Sequence, residues 1–197
     1  MQYSETIQRA VRFSIKTHEV YQKQKRKGKD VPYITHPLIV GLILSRAGAD
    51  EDTVVAGILH DTIEDSTPEK KVTRGMIAER FGENVAELVE SVTETHKNLP
   101  WSERKAQALE RIQTFSRPSL LVKSADVISN TSETLDDYRR DGDAVFARFN
   151  AKEKLFQHYL RVIIAIIERW PENPLIEDLR ESARKLQSID ALQLAKS

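Results

Sequence analysis

The chain has no cysteine among its 197 residues, so neither a disulfide framework nor a zinc–thiolate site can form. It also lacks an excess of either charge, since 30 Lys and Arg balance 30 Asp and Glu. Neutrality argues against a nucleic-acid coat protein and against a generic binder of membrane surfaces. The longest apolar run, residues 162–167, is far too short to span a bilayer. With no signal-peptide pattern after Met1, the sequence predicts a cytoplasmic protein without nucleic-acid or membrane partners, and it leaves the oligomeric state open.

Glycine and proline are scarce, with seven of each, and no long segment alternates apolar and polar residues. Helical periodicity dominates instead, which predicts an all-α fold of roughly nine helices in a single domain over residues 1–197. Ser4, Asp50 and Thr73 are the predicted N-caps of three of these helices. The later predicted helices cover residues 51–64, 84–95, 102–114, 118–140, 144–170 and 175–192.

Two metal-capable side chains, His60 and Asp61, stand side by side at the end of a segment that looks buried on nearly all faces. Glu64 and Asp65 follow within one turn. On a continuous helix His60 would share a face with Glu64, and Asp61 with Asp65. Charged groups at the end of a buried helix need partners or a metal. Each pair alone has an ordinary alternative, because a His-Asp dipeptide arises by chance and acidic pairs are common at solvated helix ends.

Two further candidate ligands come from separate segments, His36 within residues 32–37 and Asp126 within residues 123–126. Alone, His36 could simply begin a helix, and Asp126 could be a cap or an ion-pair partner. Together with His60 and Asp61 they offer two imidazoles and two carboxylates without a thiolate. Such a set suits Mn²⁺ or Fe²⁺ and tolerates Zn²⁺ or Co²⁺. A metal ion with spare carboxylates nearby suggests hydrolysis.

These segments, in this order, resemble the HD-domain phosphohydrolases, and specifically the alarmone hydrolase domain of the RelA/SpoT homologue family. The resemblance covers about residues 5–140. It implies an HD-type helical bundle on which the helices of residues 144–192 pack. It also implies one divalent metal ion, usually Mn²⁺, held at the positions of His36, His60, Asp61 and Asp126. The resemblance rests on His18, residues 26–28, 32–37, 59–65 and 123–126, and Asn130.

The resemblance also implies roles around the metal. Glu64 and Asp65 would activate and position the attacking water. Arg26 would stack on a purine and Lys27 would contact phosphates, in keeping with a planar guanidinium and a compact ammonium group. Asn130 would hold the sugar or the base. Without the resemblance, the basic loop over residues 23–29 would be interpreted as an ordinary solvated loop, and Asn130 as a polar surface residue.

The sequence departs from the family pattern in several places. Val127 and Ser132 stand where the family often has arginines after the last metal aspartate, and the loop over residues 18–33 is a few residues longer than usual. The chain ends without room for a synthetase domain, so we expect it to resemble the stand-alone small hydrolases. The sequence assigns no firm role to His18, Lys97, Arg104 or Lys105.

The predicted function is a Mn²⁺-dependent pyrophosphohydrolase that removes the 3′-diphosphate from a purine nucleotide alarmone, (p)ppGpp or (p)ppApp. Its partner is therefore a small-molecule nucleotide. Stacking on arginine does not discriminate between purines, so the base stays open. Two alternatives remain: a phosphatase of NADPH or another nucleotide on the same metal site, and an HD domain that binds a nucleotide without turnover.

Overall fold

The computed structural model describes residues 4–94, 98–148 and 154–194, and the regular structure of these ranges is helical. The predicted all-α fold is thus confirmed, with nine helices of eight or more residues and one single-turn helix in the described ranges. A π-helical turn, Lys16–Tyr21, follows the first helix. The α-helices are α1 (Glu5–Ile15), α2 (Thr35–Arg46), α3 (Glu51–Leu59), α4 (Thr62–Asp65), α5 (Arg74–Phe81), α6 (Glu83–Val92), α7 (Trp101–Ile112), α8 (Arg117–Asp141), α9 (Lys154–Arg169) and α10 (Ile176–Leu194).

The three predicted N-caps are confirmed. Oγ of Ser4 accepts the amide of Ile7 at 3.1 Å, and a carboxylate oxygen of Asp50 accepts the amide of Thr53 at 2.8 Å. Thr73 caps α5 in the same way. Each cap satisfies an amide that the first helical turn leaves without a partner.

The predicted continuous helix over residues 51–64 is wrong, because α3 ends at Leu59 and a turn separates it from α4. Side chains replace the missing helical hydrogen bonds at this end. Oγ1 of Thr62 donates to the carbonyl of Leu59, and Nδ1 of His60 donates to the carbonyl of Gly57, both at 2.7 Å. Since a polar side chain can satisfy the last carbonyls of a helix, the chain turns here at little cost. His60 and Asp61 therefore lie in a turn and not on a shared helical face with the acidic pair.

Helix α3 forms the centre of the first hydrophobic core, and every residue from Thr53 to Leu59 is buried. It packs against α1, α2, α6 and α8. Two glycines allow α2 and α3 to approach closely. A Cβ at Gly41 would lie 2.6 Å from Ile58, and one at Gly57 would lie 2.2 Å from Leu44. This contact holds the C-terminal end of α3 against the rest of the core.

A second core forms where α9 and α10 pack on α8. The predicted helix over residues 144–170 differs from the structure, in which a 3₁₀ helix (Gly142–Arg148) precedes α9. Val145 and Phe146 are both buried in this 3₁₀ segment. Their apolar pattern does not distinguish a short 3₁₀ turn from the start of an α-helix. Within the described ranges, no helix combines the length and the apolarity needed to cross a bilayer.

Candidate metal centre

Three predicted ligands, His36 on α2, His60 after α3 and Asp126 on α8, converge so that their ligand atoms all lie within 4.8 Å of one another. Nε2 of His36 is 3.3 Å from Oδ1 of Asp126, and Nε2 of His60 is 3.9 Å from the same oxygen. The fourth predicted ligand, Asp61, adjoins this group. Its Oδ2 lies 3.1 Å from Nε2 of His60 and 3.8 Å from Nε2 of His36. The structure thus brings together four side chains from three separate parts of the sequence.

Each imidazole has a hydrogen-bond partner at Nδ1, the ring nitrogen that points away from the cluster. Nδ1 of His60 faces the Gly57 carbonyl, which can only accept, so this nitrogen carries a proton. A neutral His60 must then present the lone pair of Nε2 to the cluster. Nδ1 of His36 lies 3.0 Å from Oγ of Ser129, which follows Asp126 by three residues on α8. Hydrogen bonds of this kind fix the ring orientation of metal-binding histidines.

The electrostatics of the cluster favour a cation at its centre. Burial would lower the pKa of His60, but the carboxylates of Asp61 and Asp126 outweigh it and raise the pKa to about 9. For His36 burial prevails, and its pKa is lowered. Burial opposes ionisation of both aspartates, but Lys123 beside Asp126 and the imidazoles beside Asp61 keep both pKa values below the ordinary range. Without a metal ion, one protonated imidazole supplies the positive charge that two buried carboxylates require.

The donor set fits a divalent metal ion on these grounds. Two imidazole nitrogens with fixed orientation and two ionised carboxylates converge on one point, and a cation there would take over the charge otherwise carried by protonated His60. Nitrogen and oxygen donors without sulfur are the ligands of Mn²⁺, Fe²⁺ and related ions. The described residues therefore hold a candidate divalent-metal site.

The four ligand residues line one cavity of about 250 Å³. Glu64 lies in its wall, where a carboxylate oxygen accepts the amide of Glu94 at 3.2 Å. Asp65 does not line the cavity, and its Oδ2 accepts a 2.9 Å hydrogen bond from Gln24. A larger cavity of about 360 Å³ lies against α7 and contains none of the four ligand residues. Cations and aromatic groups complete the wall of the metal cavity, among them Lys105, Lys123, Trp101, His158 and Tyr159.

The basic loop reaches the same region through Arg26. Its Nη2 donates to Oδ1 of Asn130 at 2.8 Å, and its Nε donates to Glu133 at 2.7 Å. Nδ2 of Asn130 in turn donates to Oδ1 of Asp126 at 2.6 Å. The predicted substrate residues Arg26 and Asn130 are thus connected to a metal ligand. Lys27 is exposed in the loop, and the structure places its backbone next to Arg26 without bringing its side chain to the metal cavity.

Comparison with known proteins identifies the fold family from these elements. A model described as "HD domain" matches residues 10–155, which is most of the chain. The chain belongs to the HD-domain family. This confirms the family resemblance predicted from the sequence.

Several curated relatives of this HD domain carry the name guanosine-3′,5′-bis(diphosphate) 3′-pyrophosphohydrolase. The protein of Aquifex aeolicus is 39% identical over 71% of this chain, which spans 19% of that protein. The MESH1 protein of Xenopus tropicalis is 39% identical over 63% of this chain, and the matched part is 66% of its length. The chain therefore spans slightly less than two thirds of MESH1 and a small part of the longer relative.

Solved structures agree on the fold of this HD domain. A metazoan orthologue of SpoT, described as hydrolysing ppGpp, superposes with a TM-score of 0.75 at 24% identity, covering 94% of this chain and 97% of its own. A crystal structure of a Listeria monocytogenes protein superposes with a TM-score of 0.69 at 34% identity, covering 78% and 97%. The helical arrangement of this domain is therefore shared with both structures.

Three residues near His60 and Asp61 were not assigned a role from the sequence. The hydroxyl of Tyr33 donates to Oδ2 of Asp61, and Nζ of Lys123 donates to Oδ2 of Asp126 at 2.7 Å. The sequence spacing could have indicated the first two residues, because each lies about one helical turn before a predicted ligand. Tyr33 stands three residues before His36, and Lys123 stands three residues before Asp126. The third, Glu94, holds Arg104 and Lys105 through ion pairs at the cavity wall. Lys97 lies outside the described residues.

The two missing family arginines have different consequences in this HD domain. Val127 is buried and lines the metal cavity. Ser132 instead faces a separate cleft on the side of α10, together with Asp178 and Lys185. The absence of an arginine at position 132 therefore removes no cation from the metal cavity, whereas the absence at position 127 does.

Proposed function

We propose that this HD domain is a divalent-metal-dependent pyrophosphohydrolase that removes the 3′-diphosphate from a purine nucleotide alarmone of the ppGpp type. The observation that carries the proposal is the convergence of His36, His60, Asp61 and Asp126 in a cavity that also contains cations for phosphate groups. The names of the curated relatives support the same reaction. The ligand types favour Mn²⁺ as the metal.

The reaction exchanges one bond for another at the phosphorus attached to O3′. Water adds to this phosphorus, the P–O3′ bond breaks, O3′ takes up a proton, and pyrophosphate leaves. A divalent cation in the site would polarise the phosphoryl oxygens and acidify the attacking water. Glu64, in the cavity wall, would accept a proton from this water and later supply one to O3′, and Asp65, which lies next to it outside the wall, would help to orient the pair. Lys105 and Lys123 would balance the charge of the departing pyrophosphate.

The nucleoside would bind between the metal and the basic loop. The guanidinium of Arg26 lies over the ring of Tyr33, with Cζ 5.3 Å from the ring centre, and its opposite face can receive a purine. Asn130, bonded to both Arg26 and Asp126, would hold the ribose or the base edge. Lys27 would contact phosphate as a point charge. A guanine or an adenine can stack on this face, so we propose a purine alarmone without choosing between them.

We also propose that residues 1–197 form one hydrolase domain that works on a diffusible nucleotide in the cytoplasm. The contacts of α9 and α10 with α8, the helix that carries Asp126, support this organisation. Leu155, His158, Tyr159 and Val162 of α9 also line the metal cavity.

The test is a substrate panel with Mn²⁺ added and the products identified. It compares guanosine and adenosine alarmones, NADPH and plain nucleotides, with Asp126→Ala as the inactive reference. Release of pyrophosphate from an alarmone supports the proposal. Release of orthophosphate from NADPH alone assigns a different phosphohydrolase activity to the same site. Binding of an alarmone without turnover would mean a nucleotide-binding domain and would overturn the proposed catalysis.

A further inference from the structure

Outside the ligand set, a chain of three polar side chains connects a buried histidine to the acidic pair. His18 is fully buried on the π-helical turn, and its Nδ1 lies 2.9 Å from Oε1 of Gln24. Nε2 of Gln24 donates to Oδ2 of Asp65, also at 2.9 Å. One glutamine side chain thus bridges a buried imidazole and a carboxylate that the proposed reaction uses.

The donor and acceptor roles in this relay, the hydrogen-bonded chain of His18, Gln24 and Asp65, follow from the carboxylate at its end. An ionised carboxylate can only accept, so the NH₂ group of Gln24 must face Asp65 and its carbonyl oxygen must face His18. His18 then donates from Nδ1. Its Nε2 is buried and has no hydrogen-bond partner among the described residues. A bare lone pair there costs less than a buried N–H without an acceptor, so the hydrogen-bond geometry places the ring hydrogen of His18 on Nδ1.

The backbone of Gln24 is fixed as firmly as its side chain. Its amide donates to the carbonyl of His18 at 2.9 Å, and its carbonyl accepts the amide of Tyr33 at 2.9 Å. The preceding residue, Lys23, has a φ of 50°, a left-handed conformation that is unfavourable for a lysine. Strained backbone of this kind persists where the surroundings over-determine it, and it is concentrated near functional sites.

We propose that Gln24, oriented by His18, is a positioning residue that sets the conformation of Asp65 for hydrolysis. This inference rests on the proposed function. The side-chain amide of Gln24 donates to one carboxylate oxygen of Asp65, so the orientation of that carboxylate is restricted. A side chain with several rotamers is thereby restricted before substrate arrives, which is how supporting hydrogen bonds contribute to catalysis.

A kinetic cycle tests the coupling between Gln24 and Asp65. Gln24→Leu removes both hydrogen bonds and should lower kcat about tenfold, with little change in KM. In an Asp65→Ala background the same substitution should cause no further loss, because Gln24 then has no carboxylate to hold. His18→Phe should give a smaller loss with the same dependence on Asp65. Gln22→Leu, a half-buried glutamine two residues earlier, should leave kcat unchanged and is the matched control.

A loss of equal size in both backgrounds would overturn the relay and assign Gln24 to folding or to substrate binding. A second measurement does not depend on activity. In the ¹H–¹⁵N spectrum of the metal-free protein, the side-chain amide of Gln24 should move on Asp65→Ala and on His18→Phe. An unchanged amide resonance overturns the proposal. If the wild type hydrolyses no alarmone, the proposed function fails, and this resonance still decides whether Gln24 holds Asp65.

Discussion

The carbonyl of Gly57 accepts a 2.7 Å hydrogen bond from Nδ1 of His60, and this bond directs Nε2 of the imidazole towards Asp61 and Asp126. The carbonyl is available because α3 ends two residues later and leaves it without a helical partner. The same glycine lets Leu44 of α2 pack where a Cβ would stand. Packing of the core and orientation of a metal ligand therefore depend on one residue.

Gly57→Ala should damage both stability and metal binding. A Cβ would lie 2.2 Å from Leu44, so α2 and α3 must move apart, and overpacking of this kind costs about 1–3 kcal/mol of unfolding free energy. The Gly57 carbonyl would shift with its helix and loosen His60. Urea denaturation and metal titration measure the two effects. Gly75→Ala on α5 is the control, since its Cβ meets nothing closer than 3.9 Å and should be neutral or stabilising by up to about 1 kcal/mol.

Asp126→Ala should abolish metal binding and hydrolysis while the helices remain. It removes a carboxylate that faces both imidazoles, and it leaves Lys123 without its nearest partner, so a lower melting temperature with a retained helical spectrum is expected. Metal analysis after dialysis, circular dichroism and alarmone turnover are the measurements. Asp136→Ala, an exposed aspartate of the same helix, should behave as the wild type. Full turnover by Asp126→Ala would show that the metal assignment is wrong.

Glu64→Gln combined with Asp65→Asn should keep the metal and lose the rate. Amides preserve the shape of both side chains but cannot accept a proton from water, and general-base catalysis contributes about 10²–10⁴-fold. The expected loss is in kcat, with metal content unchanged. Glu69→Gln, on the exposed 3₁₀ turn nearby, is the control for loss of a carboxylate outside the site. Persistent activity would mean that the water needs no protein base.

The four side chains that converge at the candidate metal site could be predicted from the sequence because each lies in a short local pattern, such as the adjacent His60 and Asp61. The course of the backbone around these residues, where α3 ends in a turn, could not be predicted. Helical periodicity continued through residue 60, since the side-chain hydrogen bonds that end α3 leave no mark in apolar spacing. Long-range partners were equally hidden. Glu133 stands 107 positions from Arg26, and only the packing of the loop on α8 brings them together.

Arg26→Ala should weaken substrate binding more than it slows the chemical step. The side chain is mostly buried between Tyr33 and Glu133, where it offers a flat face to a purine. Loss of a stacked base contact costs about 1–3 kcal/mol, which corresponds to a rise in KM of about fivefold to 150-fold. Arg26→Lys should not restore binding, since an ammonium group cannot stack. Lys25→Ala removes only an exposed ion pair with Asp30 and should leave KM unchanged.

Glu133→Gln should lower stability in a pH-dependent way. Burial would raise the pKa of Glu133, but hydrogen bonds from Arg26 and Lys29 outweigh it and hold the pKa below its ordinary value. A carboxylate with a depressed pKa contributes stability above its unfolded pKa and loses it as the pH falls through the folded pKa. The variant should therefore be less stable than the wild type by about 1 kcal/mol at neutral pH, and the difference should vanish in acid once Glu133 is protonated.

Urea denaturation of both proteins at a series of pH values measures this difference. Glu79→Gln, an exposed glutamate on α5, should show no difference at any pH. A Glu133→Gln deficit that stays constant down to acid pH would mean that the side chain stabilises the loop through packing and not through its charge. The same variant should also affect substrate binding, because Arg26 would lose its charged partner at position 133 and gain conformational freedom. A moderate rise in KM should accompany the loss of stability at neutral pH.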